Sequence, residues 1–282
     1  MTVETIGMLG LGDMGGAVAT ALKNNGFNVI TSLAGRSDAT VAASGSRGIA
    51  DVGGINALVQ QSDLILSVLV PANAADVATS IASAATATGS SVTFIDCNAI
   101  APASTIAMGK VVTDSGAKFV DGGVIGGPPR EGYAPRFYVS GPELDAIMEL
   151  DGKGIQVVPV GAEIGRASAV KMVYASQTKG IAALQTAMLV SAQRLGVYDE
   201  LVAELGESQA ANLERATAAV TRLPSVAGRW IGEMEEIAST FESVGISGGF
   251  HQGAAQMFRL VDGSDTESAD SLRDLIQAFA DG

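Results

Sequence analysis

The chain has 282 residues, which at roughly 150 residues per domain suits two domains or one large one and excludes a peptide or a disulfide-stapled miniature. Thirty acidic residues against 17 basic ones leave a formal net charge of −13, so a phosphate backbone would be repelled over most of the surface and nucleic-acid binding is excluded as the main role. Hydrophobic residues make up 47% of the chain, but mostly as Ala and Val, and no uninterrupted apolar run reaches the roughly 18 residues of a membrane span. The first residues, Met1 to Ile6, show no basic stretch leading into an apolar one, and Cys97 has no second cysteine to pair with. A cytoplasmic protein is expected, with no membrane partner.

From residue 5 to about residue 160, short β-prone runs alternate with Ala-rich helical stretches, the pattern of βαβ units on a parallel sheet. The expected strands are Thr5–Leu9, Asn28–Ser32, Leu64–Val70, Val92–Ile95, Lys118–Val120, Phe137–Ser140 and Gln156–Val160. Helices are expected at Asp13–Asn25, Ala74–Ala87 and Ser104–Ser115, closed by Gly26, Gly89 and Gly116. After Gly161 the strand signal stops. The remainder reads as helices over Glu163–Leu195, Gln209–Arg222, Ala227–Val244, Gly253–Val261 and Ser268–Ala280. The expected fold class is therefore an α/β Rossmann-type parallel sheet domain, residues 1–162, followed by an all-α C-terminal domain, residues 163–282.

Gly10-Leu11-Gly12-Asp13-Met14-Gly15 is a G-x-G-x-x-G that directly follows a strand and directly opens a helix. Gly10 suits the tight turn, Gly12 the approach of backbone amides to a pyrophosphate, and Gly15 the close packing of helix on strand. This context points to dinucleotide binding by Gly10, Leu11, Gly12, Asp13, Met14 and Gly15. An acidic residue about 20 positions further on would accept the ribose 2′-hydroxyl of NAD. Residues 30–37 carry none and offer Ser32, Arg36 and Ser37 instead, a set suited to a 2′-phosphate. NADP is expected rather than NAD.

With these residues in place, the chain resembles the β-hydroxyacid dehydrogenase and 6-phosphogluconate dehydrogenase superfamily, in a divergent branch with a poorly characterised helical C-terminal domain. The resemblance rests on Gly7 to Gly15, on Asp63 to Pro71, on Ile95 to Pro102, and on Gly165 to Lys171. It implies that Val70 and Pro71 lie over the adenosine half of the cofactor and Asn98 beside the nicotinamide ribose. It further implies that Gly126 and Gly127 belong to the substrate loop and that Lys171 is the catalytic residue. The chain departs from the family pattern at Ile125, where a serine normally precedes the two glycines and anchors a carboxylate, and at Tyr174, where asparagine is common.

By spacing alone, Lys171, Tyr174, Ala175 and Thr178 share one helix face, and Lys171 reads as an ordinary surface lysine. The resemblance makes it the group that takes a proton from an alcohol as hydride leaves, with desolvation favouring its neutral form. Tyr174 either serves the same oxygen or packs; Lys179 either orients an anionic substrate group or is solvated. Trp230, Met234, Ile237 and Phe241 form a core-like stripe, Glu233 reads as part of a surface charge cluster, and His251 as a loop residue. No metal site is expected. The apolar circumference of the long helix implies burial against a second copy, hence a homodimer through the helical domain.

The resulting expectation is an NADP-dependent oxidoreductase acting between a small polar hydroxyacid or sugar acid and its ketone. Decarboxylation can follow where a carboxylate lies β to the new carbonyl. Two alternatives stay open: an imine reductase-like enzyme, against which the retention of Lys171 argues, and a non-catalytic NADPH-binding sensor, suggested by Ile125 and Tyr174.

Overall fold

A computed structural model describes residues 2–267 and 269–282. The first unit, Met1–Met172, is built on one eight-stranded sheet. Its strands are β1 (Thr5–Leu9), β2 (Asn28–Thr31), β3 (Ala50–Asp51), β4 (Leu64–Ser67), β5 (Thr93–Asp96), β6 (Lys118–Ile125), β7 (Arg136–Ser140) and β8 (Gln156–Pro159), in the spatial order β3-β2-β1-β4-β5-β6-β7-β8. All neighbours are parallel except β6 and β7. The helices between them are α1 (Asp13–Asn24), α2 (Asp38–Arg47), α3 (Ile55–Gln61), α4 (Ala74–Thr88), α5 (Pro102–Asp114) and α6 (Asp145–Met148).

Every residue of β4 and β5 is buried, as expected of parallel strands covered on both faces. Leu64 and Leu66 pack with Val18, Ala19 and Leu22 of α1, while Ile65 packs with Leu58, Ile81 and Val112 from α3, α4 and α5. The strand order reverses beside β1, whose neighbours are β2 and β4. Ligands of open α/β sheets bind at the carboxyl ends of strands at such a reversal.

Strands and helices fall close to their expected places, with three differences of substance. β6 runs to Ile125 rather than stopping at Val120, and β3, α2, α3, α6 and a helix over Tyr198–Ser208 have no counterpart among the expected elements. The helix expected from Ser268 begins at Leu272, capped by Ser271 and Asp274; Ser268 itself lies outside the described residues. α7 (Arg166–Leu195) is a single helix of 30 residues; where the sequence change puts the boundary after residue 162, the two compact units meet inside α7, at Met172 and Val173.

The second unit, Val173–Gly282, holds the rest of α7 with α8 (Tyr198–Ser208), α9 (Ala210–Arg222), α10 (Ala227–Ser243), α11 (Gly249–Asp262) and α12 (Leu272–Asp281). Met234 and Ile237 of α10, Phe258 of α11 and Phe279 of α12 are fully buried, and Trp230 meets Phe258 edge-on at 5.4 Å. The expected Trp230 stripe is therefore core. Among the described residues, no helix is long and apolar enough to cross a membrane.

Candidate functional site

The glycine turn links the end of β1 to the start of α1. Gly10 has φ +96° and lies against the exit of β4 so closely that a Cβ would come within 2.1 Å of the Val68 carbonyl oxygen. At Gly15 a Cβ would lie 2.1 Å from the Gly10 oxygen. Both glycines are thus required by the fold itself. Gly12 is different: nothing lies within 4 Å of where its Cβ would be, and its φ of −66° suits any residue. Gly12 caps α1, and no side chain caps the helix, which leaves its first amides and positive dipole end to a ligand. This cradle, which a side chain at position 12 would fill, fits a dinucleotide pyrophosphate. Asp13 is exposed at the first position of α1, Leu11 is buried, and Met14 packs on the core, so Leu11 and Met14 can offer little beyond their backbones.

After β2, the three residues expected to read a 2′-phosphate have different surroundings. Ser32 is buried and donates to the Gly53 carbonyl. Ser37 caps α2 by accepting the Thr40 amide. Arg36 is half-buried, and among the described residues no carboxylate lies within ion-pair range of it. Asp51, which carries no motif in the sequence, reaches this loop from β3 and accepts the Leu33 amide at 3.0 Å.

Past β4, Val70 is exposed and Pro71 opens a single 3-10 turn. Asn98, past β5, is buried; its carbonyl oxygen accepts the Leu69 amide while its amino group donates to Ser67 and Asp96. Asn98 therefore ties the exits of β4 and β5 together.

The side chain of Asp96 is buried at the end of β5, and its Oδ2 has no hydrogen-bond partner. Burial raises its pKa to about 7, against the hydrogen bonds from Asn98 that lower it, with the Asp121 charge adding to the rise. The unfolded chain ionises this group near 3.8. Between the two values the folded state holds a proton that the unfolded state has released, so this contribution is fully present below pH 3.8 and lost as pH rises through 7. Asp96→Asn keeps the shape without the charge. Each pKa unit is worth about 1.4 kcal/mol, so the variant is expected to gain about 1–3 kcal/mol over wild type between about pH 5 and pH 8 in urea unfolding. An unchanged difference across that range would contradict the assignment.

β6 and the start of α7 form the other half of this edge. A Cβ on Gly122 would lie 2.8 Å from Cys97 Sγ, and one on Gly123 would lie 2.7 Å from the Ala167 oxygen and 3.0 Å from Lys171 Cβ. The two glycines thus admit β5's exit on one side and α7 on the other. Asp121, fully buried, accepts hydrogen bonds from the amides of Gly165, Ala167 and Ser168 and from the hydroxyls of Ser140 and Ser168. It is the anion at the positive end of α7, and it fixes that helix to β6. An acid inside the apolar run Phe119-Val120-Asp121 signals such pairing, because a buried charge without partners is costly.

Held this way, Lys171 is half-buried and donates from Nζ to the carbonyl of Val124 at the carboxyl end of β6. β1, β4, β5 and β6 run parallel, so Lys171 meets the same sheet edge as the glycine turn. Ile125 follows, buried; Gly126 has φ +121°, and the Gly127 amide donates to the Tyr133 hydroxyl. Cys97 is buried, and desolvation pushes its thiol well above the ordinary range, which suits packing rather than nucleophilic chemistry.

In the second unit, Tyr174 is about half exposed. Two expectations are corrected there. Glu233 is buried rather than part of a surface cluster, and it pairs with Lys179 at 2.7 Å, so Lys179 is not solvated and its charge already faces a carboxylate of the same unit. Lys179 also lies over the Trp230 ring. His251 sits inside α11 rather than in a loop, against Phe241 with ring centroids 4.4 Å apart. Among the described residues, no group of three or more His, Cys, Asp or Glu is placed to hold a metal ion.

Residues 5–148 match the family model described as the NAD binding domain of 6-phosphogluconate dehydrogenase, and residues 192–261 match a domain of unknown function, DUF1932. An uncharacterized 28.5 kDa protein in the 7S RNA 5′ region of Methanothermus fervidus is 27% identical over 204 residues, covering 72% of this chain and 77% of that protein. Among solved structures, the conserved protein MTH1747 is 25% identical, with a TM-score of 0.67 over 90% of this chain and 95% of that one. It is described as of unknown function with structural similarity to 3-hydroxyacid dehydrogenases. The 3-hydroxyisobutyrate dehydrogenase of Mycobacterium tuberculosis is 16% identical, with a TM-score of 0.71 over 99% and 98%; at that identity it shows the shared fold.

Proposed function

Because the chain belongs to the family of the NAD binding domain of 6-phosphogluconate dehydrogenase, we propose that it is an NADP-dependent oxidoreductase that interconverts a small polar hydroxyacid and its ketone. The observation that carries this reading is the placing of Lys171 Nζ on the Val124 carbonyl, at the sheet edge that also bears the Gly12 cradle. When bound, the nicotinamide cofactor supplies the acceptor for hydride in the oxidative direction. The amides at the start of α1 hold its pyrophosphate. Lys171, as the neutral amine, takes the hydroxyl proton, and the Val124 carbonyl aims Nζ while Asp121 keeps α7 from sliding along β6.

Arg36 is the residue that favours NADP over NAD, since Ser32 already donates its hydroxyl proton to the Gly53 carbonyl, while Ser37 accepts the Thr40 amide and keeps only one neutral donor for a phosphate. A charge-assisted contact to phosphate is worth about 1.5–3 kcal/mol. Arg36→Ala is therefore expected to weaken NADPH about ten- to a hundredfold and to leave NADH nearly unchanged, as read by titration calorimetry. Equal losses for both cofactors would show that Arg36 does not read the 2′-phosphate.

The helical unit supports assembly as a homodimer. Ile181 and Leu184 of α7 and Phe250 of α11 are exposed, Phe250 at 88%, and they border one apolar groove. A second copy would cover this face, as large exposed apolar patches generally require. Light scattering at micromolar concentration should report a dimer, and Leu184→Asp should shift it toward monomer; a wild-type monomer would refute the assembly.

A further inference from the structure

Ile125 leaves the end of β6 without a polar side chain, yet the loop that follows is closely constrained. Arg130 and Tyr133 exchange both backbone hydrogen bonds, at 3.0 and 2.9 Å, across Glu131 and Gly132. Gly132 adopts φ +72°, which side-chain-bearing residues rarely do, and Pro128 and Pro129 stiffen the approach. The Tyr133 hydroxyl accepts the Gly127 amide at 3.1 Å. A Cβ on Gly126 would fall 2.2 Å from that hydroxyl, so the glycine admits the tyrosine.

The Arg130 guanidinium lies over the Tyr133 ring, 5.0 Å from its centroid. β7 then begins at Arg136, directly opposite Ile125. Arg130 and Arg136 are both exposed, and among the described residues neither has a carboxylate within ion-pair range. In a chain of net charge −13, this short turn carries two arginines against the one exposed carboxylate of Glu131, so it is a local excess of positive charge. It also lies next to the chemistry: Lys171 donates to Val124, and Val124 is three residues, at most about 10 Å of chain, from Gly127.

We propose that the turn from Gly127 to Arg136 is an oxyanion-recognition element, in which Arg130, stacked on Tyr133, binds the acidic group of the substrate. A planar guanidinium meets a carboxylate, phosphonate or phosphate with two parallel hydrogen bonds. Stacking on Tyr133 holds the fork before the ligand arrives, which lowers the ordering cost of binding. Arg136 adds charge at the same rim. The element sets substrate class for the reaction proposed above and rests on that reading.

The test titrates the full chain, with and without NADPH, with 3-hydroxypropionate, 3-hydroxypropylphosphonate and uncharged 1,3-propanediol. Wild type should bind the acids in preference to the diol, and the tighter acid identifies the anion. Arg130→Gln should weaken the acids about ten- to a hundredfold while leaving NADPH affinity and thermal midpoint unchanged. Tyr133→Phe, which keeps the ring and deletes the acceptor of the Gly127 amide, should give a smaller loss. Acid binding equal in wild type and Arg130→Gln, parallel loss of acid and NADPH, or no preference for acid over diol would each overturn the proposal. Failure of wild type to bind NADPH would instead count against the cofactor reading, and the titrations without NADPH would still report on Arg130.

Discussion

Lys171→Met is expected to lower turnover on a confirmed substrate by about 10²–10⁴, the range for loss of a positioned general base. The methionine keeps the apolar stem against Gly123 and deletes the amine that Val124 aims. Cofactor affinity should be unaffected, because the Gly12 cradle belongs to a different strand and helix. The loss should therefore fall on kcat and leave NADPH titrations at their wild-type value. Wild-type turnover in the variant would move the proton acceptor elsewhere, with Tyr174 the first candidate. Joint loss of activity and NADPH binding would make Lys171 a cofactor-positioning residue.

The first half of the fold is legible in the sequence because its signals are local. The run Thr5–Leu9 followed by Gly10-Leu11-Gly12 forms β1 and its turn with the expected bounds, and Gly89 closes α4 in the left-handed conformation at φ +67°. Elements lacking a periodic apolar stripe are not legible. In α2 the only buried residue is Ser44, so that segment carries no apolar stripe; α8 does carry one, Tyr198, Leu201, Val202 and Leu205 at i, i+3, i+4 and i+7, but it is only two turns long and lies between two longer helices. β6 reads short because Gly122 and Gly123 look like a break in sequence; their reason is the close approach of Cys97 and Ala167.

The site divides the same way. The glycine turn and Lys171 follow from motif and resemblance. What Ser32 and Lys179 do depends on Gly53 and Glu233, partners from distant parts of the chain that no local window contains. The same holds for Asp121, which binds across from β6 to α7, and for Asp51, which reaches the loop after β2 from the edge strand. Hydroxyls, acids and lysines are versatile enough that only the tertiary neighbour decides whether they face ligand or backbone.

Gly12→Val tests, with little disturbance to the fold, whether the turn from β1 to α1 holds a nicotinamide dinucleotide. Nothing lies within 4 Å of the added Cβ, and the local φ of −66° is open to valine, so thermal and urea midpoints should match wild type. The branched side chain would occupy the space through which the pyrophosphate reaches the first amides of α1. Denied about two charge-assisted hydrogen bonds to those amides, NADPH is expected to bind about a hundredfold more weakly, or worse. Titration calorimetry of NADPH onto both proteins decides the matter: one site per chain is expected in wild type and its loss in a fully folded Gly12→Val, whereas equal binding in both, or none in wild type, would show that the turn does not hold the cofactor.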